Sequence, residues 1–383
     1  MKFTVIMPTY NNAELLRNTL EALNYQEGYD ENDYEVVVVD DGSSIDTYSY
    51  IKGINKNYKL KYYYLERNED SCRARTRNHG WKNAEGDIIA YIDSDIIVGR
   101  TYLKELERCF KEASDILVLG NRFMLNESIK FDDIATGEIY EKYKFDKENF
   151  PMLESRYFMY ESSSYNANAS MCPWLLCYSC NLAVERETLE EIGGFDENFK
   201  EWGIEDIEFG YSAYKKKIQI VINNKLEVYH QYHGMRNDLI ISAKKIPGYE
   251  KNIDYFISKH PKALNMHKKS AYRFLEGDSK AYKLLEKLEV ASNVVEFRNK
   301  KDYQLVKDAI LILSNMPMSK VIVHDYVEDT NLDIWIQLLG YTDGTILYYP
   351  MSRRLDKEDM EVFLEEEKTR EREYDKKLME GLV

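Results

Sequence analysis

The sequence predicts an α/β fold: a mostly parallel sheet with helices on both faces, followed by a small C-terminal α/β domain. Three observations carry this. Strand-like runs alternate with helical patterns through the first half of the chain, as parallel sheets require. Several runs, such as the valines of YEVVVV (Tyr34–Val39), are apolar at nearly every position, which fits strands buried on both faces. The chain has 383 residues, 44% hydrophobic and 31% charged, enough for more than one core in an ordinary globular composition.

Phe3–Met7 is a short apolar run ending at Pro8. Helical spacing follows over Asn11–Leu23, with Leu15, Leu16, Leu20 and Leu23 on one face and Asn11 or Asn12 as its cap. Tyr34–Val39 is a strand, Asp46–Ile54 a short helix and Leu60–Leu65 a strand. Cys72–Ala84 reads as a helix, Asp87–Ile92 as a buried strand, Thr101–Ala113 as a helix and Ile116–Leu119 as a strand. Residues 122–172 are rich in Tyr, Asn, Ser and Glu and lack clean periodicity, which marks a functional or mobile insertion. Order returns with the strand Cys180–Val184, a helix over Arg186–Ile192 stopped by Gly193 and Gly194, a helix over Ile204–Lys215 and the strand Ile218–Ile222. Residues 1–245 thus form the first domain and 246–289 a helical connector. Residues 290–383 form the accessory domain, with strands at Val294–Phe297, Val321–Tyr326 and Ile346–Tyr349, helices at Tyr303–Leu313 and Leu332–Leu339, and a long charged helix over Asp356–Leu382. On this division, removing 290–383 leaves the chemistry of residues 1–245 intact and alters what they act on.

The net charge is −15, without the basic footprint a nucleic-acid binder needs. Five cysteines, an odd number in a chain of this size, argue against a disulfide framework and fit a reducing, cytoplasmic setting. Cys177-x-x-Cys180 with Cys172 nearby lacks a regularly spaced fourth ligand, so buried thiols are expected rather than zinc. MKFTVIMPTY does not read as a signal peptide, and no apolar run is long enough to span a membrane.

In open parallel sheets, ligands bind beyond the carboxyl ends of the strands. Three polar clusters sit at such ends: Pro8-Thr9-Tyr10-Asn11-Asn12, Asp40-Asp41-Gly42-Ser43-Ser44, and Asp93-Ser94-Asp95. Any one could be turn chemistry, and a lone D-x-D reads equally well as a solvated turn. Together they describe a pocket with acceptors for a nucleobase and ribose, and carboxylate for a hard divalent cation. If Asp93 and Asp95 continue the strand, they share a face, and their like charges then need a positive charge between them.

In this order and spacing, VIMPTYNN, VVVVDDGSS, RNHG and AYIDSD resemble the family 2 glycosyltransferases, which have the Rossmann-like A-type nucleotide-sugar-binding (GT-A) fold. Cys180–Tyr211, with GGFD followed by WGIED, resembles the segment shared by galactosyltransferases and chondroitin-type polymerases. The resemblance covers roughly residues 1–235. It implies an inverting transferase that moves a hexose or N-acetylhexosamine from a UDP-sugar to a glycan, peptide or lipid-linked acceptor. It also implies roles. Asp41 accepts from the uracil imide, beside Pro8, Thr9 and Tyr10. Arg77 lies near the base or diphosphate, or is a surface helix residue. Asp93 and Ser94 meet the ribose or the metal's water shell, and Asp95 ligates the metal. Asp206 is the base that takes the acceptor's proton. Glu205 binds sugar or acceptor hydroxyls, or simply answers the helix dipole. Trp202 and Gly203 complete the donor side, and Trp174 either stacks on a sugar or packs. His230 completes the metal site, with His233 in reserve, and an imidazole ligand favours Mn²⁺ over Mg²⁺. The acceptor site is expected within 122–178, and the C-terminal domain is a candidate dimer or acceptor surface. Two other readings remain. A nucleotidyltransferase lacks its glycine- and lysine-rich loop near residues 8–20. A non-catalytic scaffold has no reason to retain Asp41, Asp93, Asp95, Asp206 and His230 together.

Overall fold

The structure is a computed structural model that describes residues 2–144, 154, 156–170, 172–233, 235–264, 275, 291–315, 319–340, 342 and 344–353. Its centre is an eight-stranded sheet. The strands are β1 (Phe3–Thr9), β2 (Tyr34–Asp40), β3 (Lys59–Tyr64), β4 (Ile88–Ile92), β5 (Ile96–Val98), β6 (Ile116–Met124), β7 (Asn181–Glu185) and β8 (Gln219–His230). They lie in the order β3-β2-β1-β4-β7-β6-β8-β5. Strands β1 to β4 are parallel; β7 runs against β4 and β6, and β5 against β8. The sheet is therefore mixed. The apolar runs foretold burial, and every residue of β2 and β4 is buried, but a fully apolar strand carries no mark of its direction.

Register sets the site. Thr9 lies beside Asp40 at the shared carboxyl ends of β1 and β2. The ladder between β1 and β4 covers only Phe3–Ile6, so Pro8, which has no N–H to give, falls beyond it. Helices α1 (Ala13–Leu23), α2 (Thr47–Ile51), α3 (Arg73–Lys82) and α4 (Tyr102–Glu112) connect and cover these strands. Asn12 occupies the N-cap position of α1 but makes no side-chain cap bond. Its amide is drawn to Ser94 Oγ at 3.3 Å instead, while Asn11 Oδ1 accepts from Ser44 N at 2.8 Å. The expected cap is spent on joining the three polar clusters.

The irregular stretch holds short helices α5 (Phe131–Thr136), α6 (Glu138–Lys142) and α7 (Arg156–Ser162). Then come α8 (Arg186–Ile192), α9 (Glu205–Lys215) and α10 (Met235–Lys259). The expected break at 245/246 thus falls inside α10. Strands β6 and β8 run further than their apolar cores suggest, across a register shift between Gly120 and Asn121. Gly120 is required there, because any side chain would collide with Leu226 O and Asn181.

A second, three-stranded parallel sheet contains β9 (Ala291–Phe297), β10 (Ser319–Asp325) and β11 (Thr345–Pro350), with α11 (Tyr303–Ser314) and α12 (Leu332–Leu338). It is tied to the first sheet by buried polar contacts. Gln337 pairs both backbone groups of Ile222, at 2.6 and 2.9 Å. Arg108 reaches Asp333 at 2.9 Å, and Arg353 pairs with Glu227. The helix expected over Asp356–Leu382 lies outside the described residues. All five cysteines are buried free thiols, as expected of packing residues. Among the described residues no helix is long and apolar enough to cross a membrane.

Candidate active site

The carboxyl ends of β1, β2 and β4 and the N-terminus of α9 carry the predicted residues. On the nucleotide side, Asp41 N donates to Thr9 O at 2.9 Å, holding the first two clusters together. Thr9 Oγ1 and Asp41 Oδ1 are both enclosed without a hydrogen-bond partner. Enclosed orphans of this kind are uncommon and call for a ligand or solvent. Burial raises the Asp41 pKa against the opposing charge of Arg67, whose Nη1 lies 2.9 Å from Asp41 Oδ2. The same guanidinium stacks 4.2 Å over the ring of Tyr10, which is 47% exposed. Arg67 was not anticipated; a lone basic residue just past β3 carries no motif.

Arg77 was expected near the base or diphosphate, or on a helix surface. It is neither free nor exposed. Its side chain is buried, with Nη1 3.0 Å from Glu205 Oε1 and Nη2 3.3 Å from Asp93 Oδ1. Burial opposes the charge, yet Glu205, Asp93 and Asp206 together raise its pKa. Glu205 is thereby committed to Arg77 through one oxygen, and its Oε2 is enclosed without a partner.

Asp93, Ser94 and Asp95 do not continue the strand. They form a turn closed by Ile96 N donating to Asp93 O at 3.2 Å, and β5 begins after it. The side chains therefore take separate partners. Asp93 faces Arg77. Ser94 is buried, its carbonyl accepting from Thr19 Oγ1 at 3.0 Å, so it anchors the turn to α1. Asp95 Oδ2 lies 3.6 Å from His230 Nε2 and 3.7 Å from His233 Nε2. Its other oxygen, Oδ1, is enclosed without a partner. Burial, and then the charge of Asp93, raise the Asp95 pKa. Among the described residues, Asp95, His230 and His233 are the one group of His, Cys, Asp or Glu gathered closely enough to hold a metal ion. Two imidazoles and a carboxylate with an orphaned oxygen fit a divalent first-row cation.

Asp206 sits in the first turn of α9. Its Oδ1 accepts from Ile207 N at 2.9 Å and its Oδ2 from Ser179 N at 3.2 Å. Burial, reinforced by Glu205 and opposed by Arg77, raises its pKa. The turn leading into it is held in an unusual backbone. Gly203 and Ile204 both have positive φ, 87° and 74°. A β-branched residue there is strained by on the order of 1–3 kcal/mol. Gly203 has no alternative: a Cβ would sit 2.5 Å from the Tyr249 ring. Trp202 is 42% exposed, lies tilted against Tyr249 and carries the Lys245 ammonium 5.2 Å from its ring centre. Trp174 is 1% exposed and stacks on Phe256. Packing accounts for it, and no face remains for a sugar.

Residues 4–171 match the family model described as glycosyl transferase family 2. Residues 165–236 match the one described as the N-terminal domain of galactosyltransferase. Between them the two models span the eight-stranded sheet and both halves of the site. Over these residues the chain is similar to the family 2 glycosyltransferases. A validoxylamine A glucosyltransferase from Streptomyces hygroscopicus subsp. jinggangensis (strain 5008) is 26% identical over 269 residues, covering 68% of this chain and 61% of that protein. The chain thus spans less than two thirds of that relative's length. A chondroitin synthase from Pasteurella multocida (strain Pm70) is 27% identical over 239 residues, 60% of this chain and 24% of that protein. The crystal structure of S. aureus TarS 1–349 in complex with UDP-GlcNAc superposes with a TM-score of 0.45 at 20% identity, covering 72% of this chain and 70% of that one.

Proposed function

We propose that this chain is an inverting, metal-dependent glycosyltransferase that moves a hexose or N-acetylhexosamine from a UDP-sugar to a glycan, peptide or lipid-linked acceptor. The carrying observation is Asp95, with its orphaned oxygen before two histidines, together with Asp206, its pKa raised toward the range useful in a base, their neighbours Asp93 and Glu205 being joined by the buried Arg77. The family match and the printed activities of the relatives, a glucosyltransferase and a chondroitin synthase, support the class.

The chemistry follows from the residues. Asp41, Thr9 and Tyr10 receive the base and Asp93 the ribose side. The acceptor hydroxyl attacks the anomeric carbon as the bond to the diphosphate breaks, and its proton passes to Asp206. The raised pKa suits that task, since a general base works best when its pKa nears the operating pH. Arg77 holds Glu205, and with it the first turn of α9, in fixed relation to Asp93. A divalent cation held by Asp95, His230 and His233 would neutralise charge on the leaving diphosphate; the two imidazoles favour Mn²⁺ over Mg²⁺.

The acceptor is assigned to the 122–178 insertion, which lies in sequence between the two halves of the site, and the C-terminal domain to acceptor handling or dimerisation. The reading is tested by release of free sugar from UDP-sugars by the purified protein. Wild type should hydrolyse at least one donor slowly, and Asp95→Ala should abolish the release. Absence of release, together with absence of UDP binding, would sink the reading.

A further inference from the structure

Among the described residues, Arg122 near the end of β6 and Arg156 of α7 share a single buried carboxylate. Arg122 donates to Glu154 Oε2 from Nε at 2.6 Å and approaches it from Nη2 at 2.5 Å. The other oxygen, Glu154 Oε1, takes both Nε and Nη2 of Arg156 at 2.5 Å. Two guanidiniums thus share one carboxylate. Arg156 is 0% exposed and Glu154 is buried, so the surplus positive charge is not a solvated surface feature. A buried charge pair leaves room for a further anion where the cations outnumber the carboxylate that holds them.

Strand geometry gives the direction. Arg122 on β6 pairs with Val228 on β8, and Met124 pairs with His230. Residues two apart on a strand share a face, so Arg122 projects to the same side of the sheet as His230, one pleat away. Glu154 grips two of the three guanidinium nitrogens and leaves Nη1. The side chain stays one-fifth exposed while its partner is buried. Glu154, itself held by Arg156, fixes the guanidinium of a side chain that projects to the sheet face carrying His230.

We propose that Arg122 is a donor-binding residue whose Nη1 contacts the diphosphate of the nucleotide sugar and carries part of the negative charge that develops on the leaving group. This rests on the donor reading above. A planar guanidinium already fixed by a carboxylate suits a phosphate oxygen, since little freedom remains to be lost on binding. Glu154 and Arg156 are positioning residues: they aim Arg122 and do not themselves reach substrate. The 122–178 insertion thus contributes to the donor site as well as to the acceptor side.

The test is calorimetric binding of UDP and of uridine to wild type, Arg122→Ala and Arg122→Lys, with a thermal melt of each. UDP affinity should fall about tenfold or more in Arg122→Ala, the scale of a lost hydrogen bond to a charged group. Uridine affinity should be unchanged, and Arg122→Lys should recover part of the loss through charge alone. Equal losses for UDP and uridine would show a purely structural role and overturn the proposal. So would an unchanged UDP affinity in Arg122→Ala. If wild type itself binds no UDP, the donor reading falls first and this inference with it; wild-type binding with an indifferent Arg122→Ala sinks the inference alone.

Discussion

Arg77 Nη1 lies 3.0 Å from Glu205 Oε1, joining two residues 128 positions apart in the chain. Through Nη2 the same guanidinium reaches Asp93. One buried cation therefore ties the turn after β4 to the first turn of α9. Breaking a buried pair by removing one partner costs about 3–5 kcal/mol, because the other charge is left without compensation. Arg77→Ala should lower unfolding free energy by that order, as read in a urea titration. Glu205→Gln, which leaves a polar partner of the same size, should cost less. Additive effects in the double variant would show that the two side chains act independently and that the tie has no energetic meaning.

The same tie sets the charge state of Asp206. Its pKa is raised by burial and then by Glu205, and in its proposed role as base it must be deprotonated to act. The rate should therefore fall as pH drops through a value above the ordinary carboxylate range. Glu205→Gln removes the like charge and leaves Arg77 to act on Asp206 alone. Both changes lower the Asp206 pKa, so the acid limb of the pH–rate profile should move to lower pH. A limb that stays in place, or moves upward, would show that another group controls it.

Much of this arrangement was legible before the structure. The apolar runs located β1 to β4, and their polar ends marked the pocket, because an apolar strand and a turn-forming terminus leave different residues behind. Partners were not legible. Arg77 sits in a basic helical stretch, and nothing local says that its counter-charge comes from Glu205. Strand extensions were missed where Asn121, Arg122, Asn223 and Asn224 interrupt the apolar pattern. Asn223 is buried all the same, with its amide on Glu105, so tertiary hydrogen bonds supply what hydrophobicity does not. The cluster at 93–95 was placed after the strand, with turn and strand continuation both open, because alternation cannot show that a backbone hydrogen bond closes at Ile96.

His230 and His233 stand almost equally far from Asp95, at 3.6 and 3.7 Å. Both should contribute to metal binding. Substituting either by Ala should weaken Mn²⁺ binding by about tenfold or more, the loss usual even for groups that merely support a ligand. The affinity can be followed by titration with the free ion. An Ala variant at His233 that binds Mn²⁺ as wild type does would leave His230 as the single imidazole ligand.

Gln337 occupies a place that a neighbouring strand would otherwise fill, with its amide pairing both backbone groups of Ile222 on β8. Gln337→Leu leaves a buried N–H and C=O without partners, at about 1–3 kcal/mol each. Removing residues 290–383 also strips Asp333 from Arg108. The expectation that such a deletion spares donor handling therefore needs a stability control. The truncated protein should melt at a lower temperature than wild type, and Gln337→Leu should reproduce part of the drop. Unchanged melting in both would make the accessory domain an independent unit.

The central claim is that this pocket binds a uridine diphospho group through Asp41 and a cation at Asp95. Its most direct test is calorimetric titration of UDP into wild type and Asp95→Ala, each with Mn²⁺ and with chelator. Binding that needs Mn²⁺ and disappears in Asp95→Ala is the predicted result. UDP binding that is the same with chelator, or that survives in Asp95→Ala, would contradict the metal site, and no binding under any condition would contradict the donor.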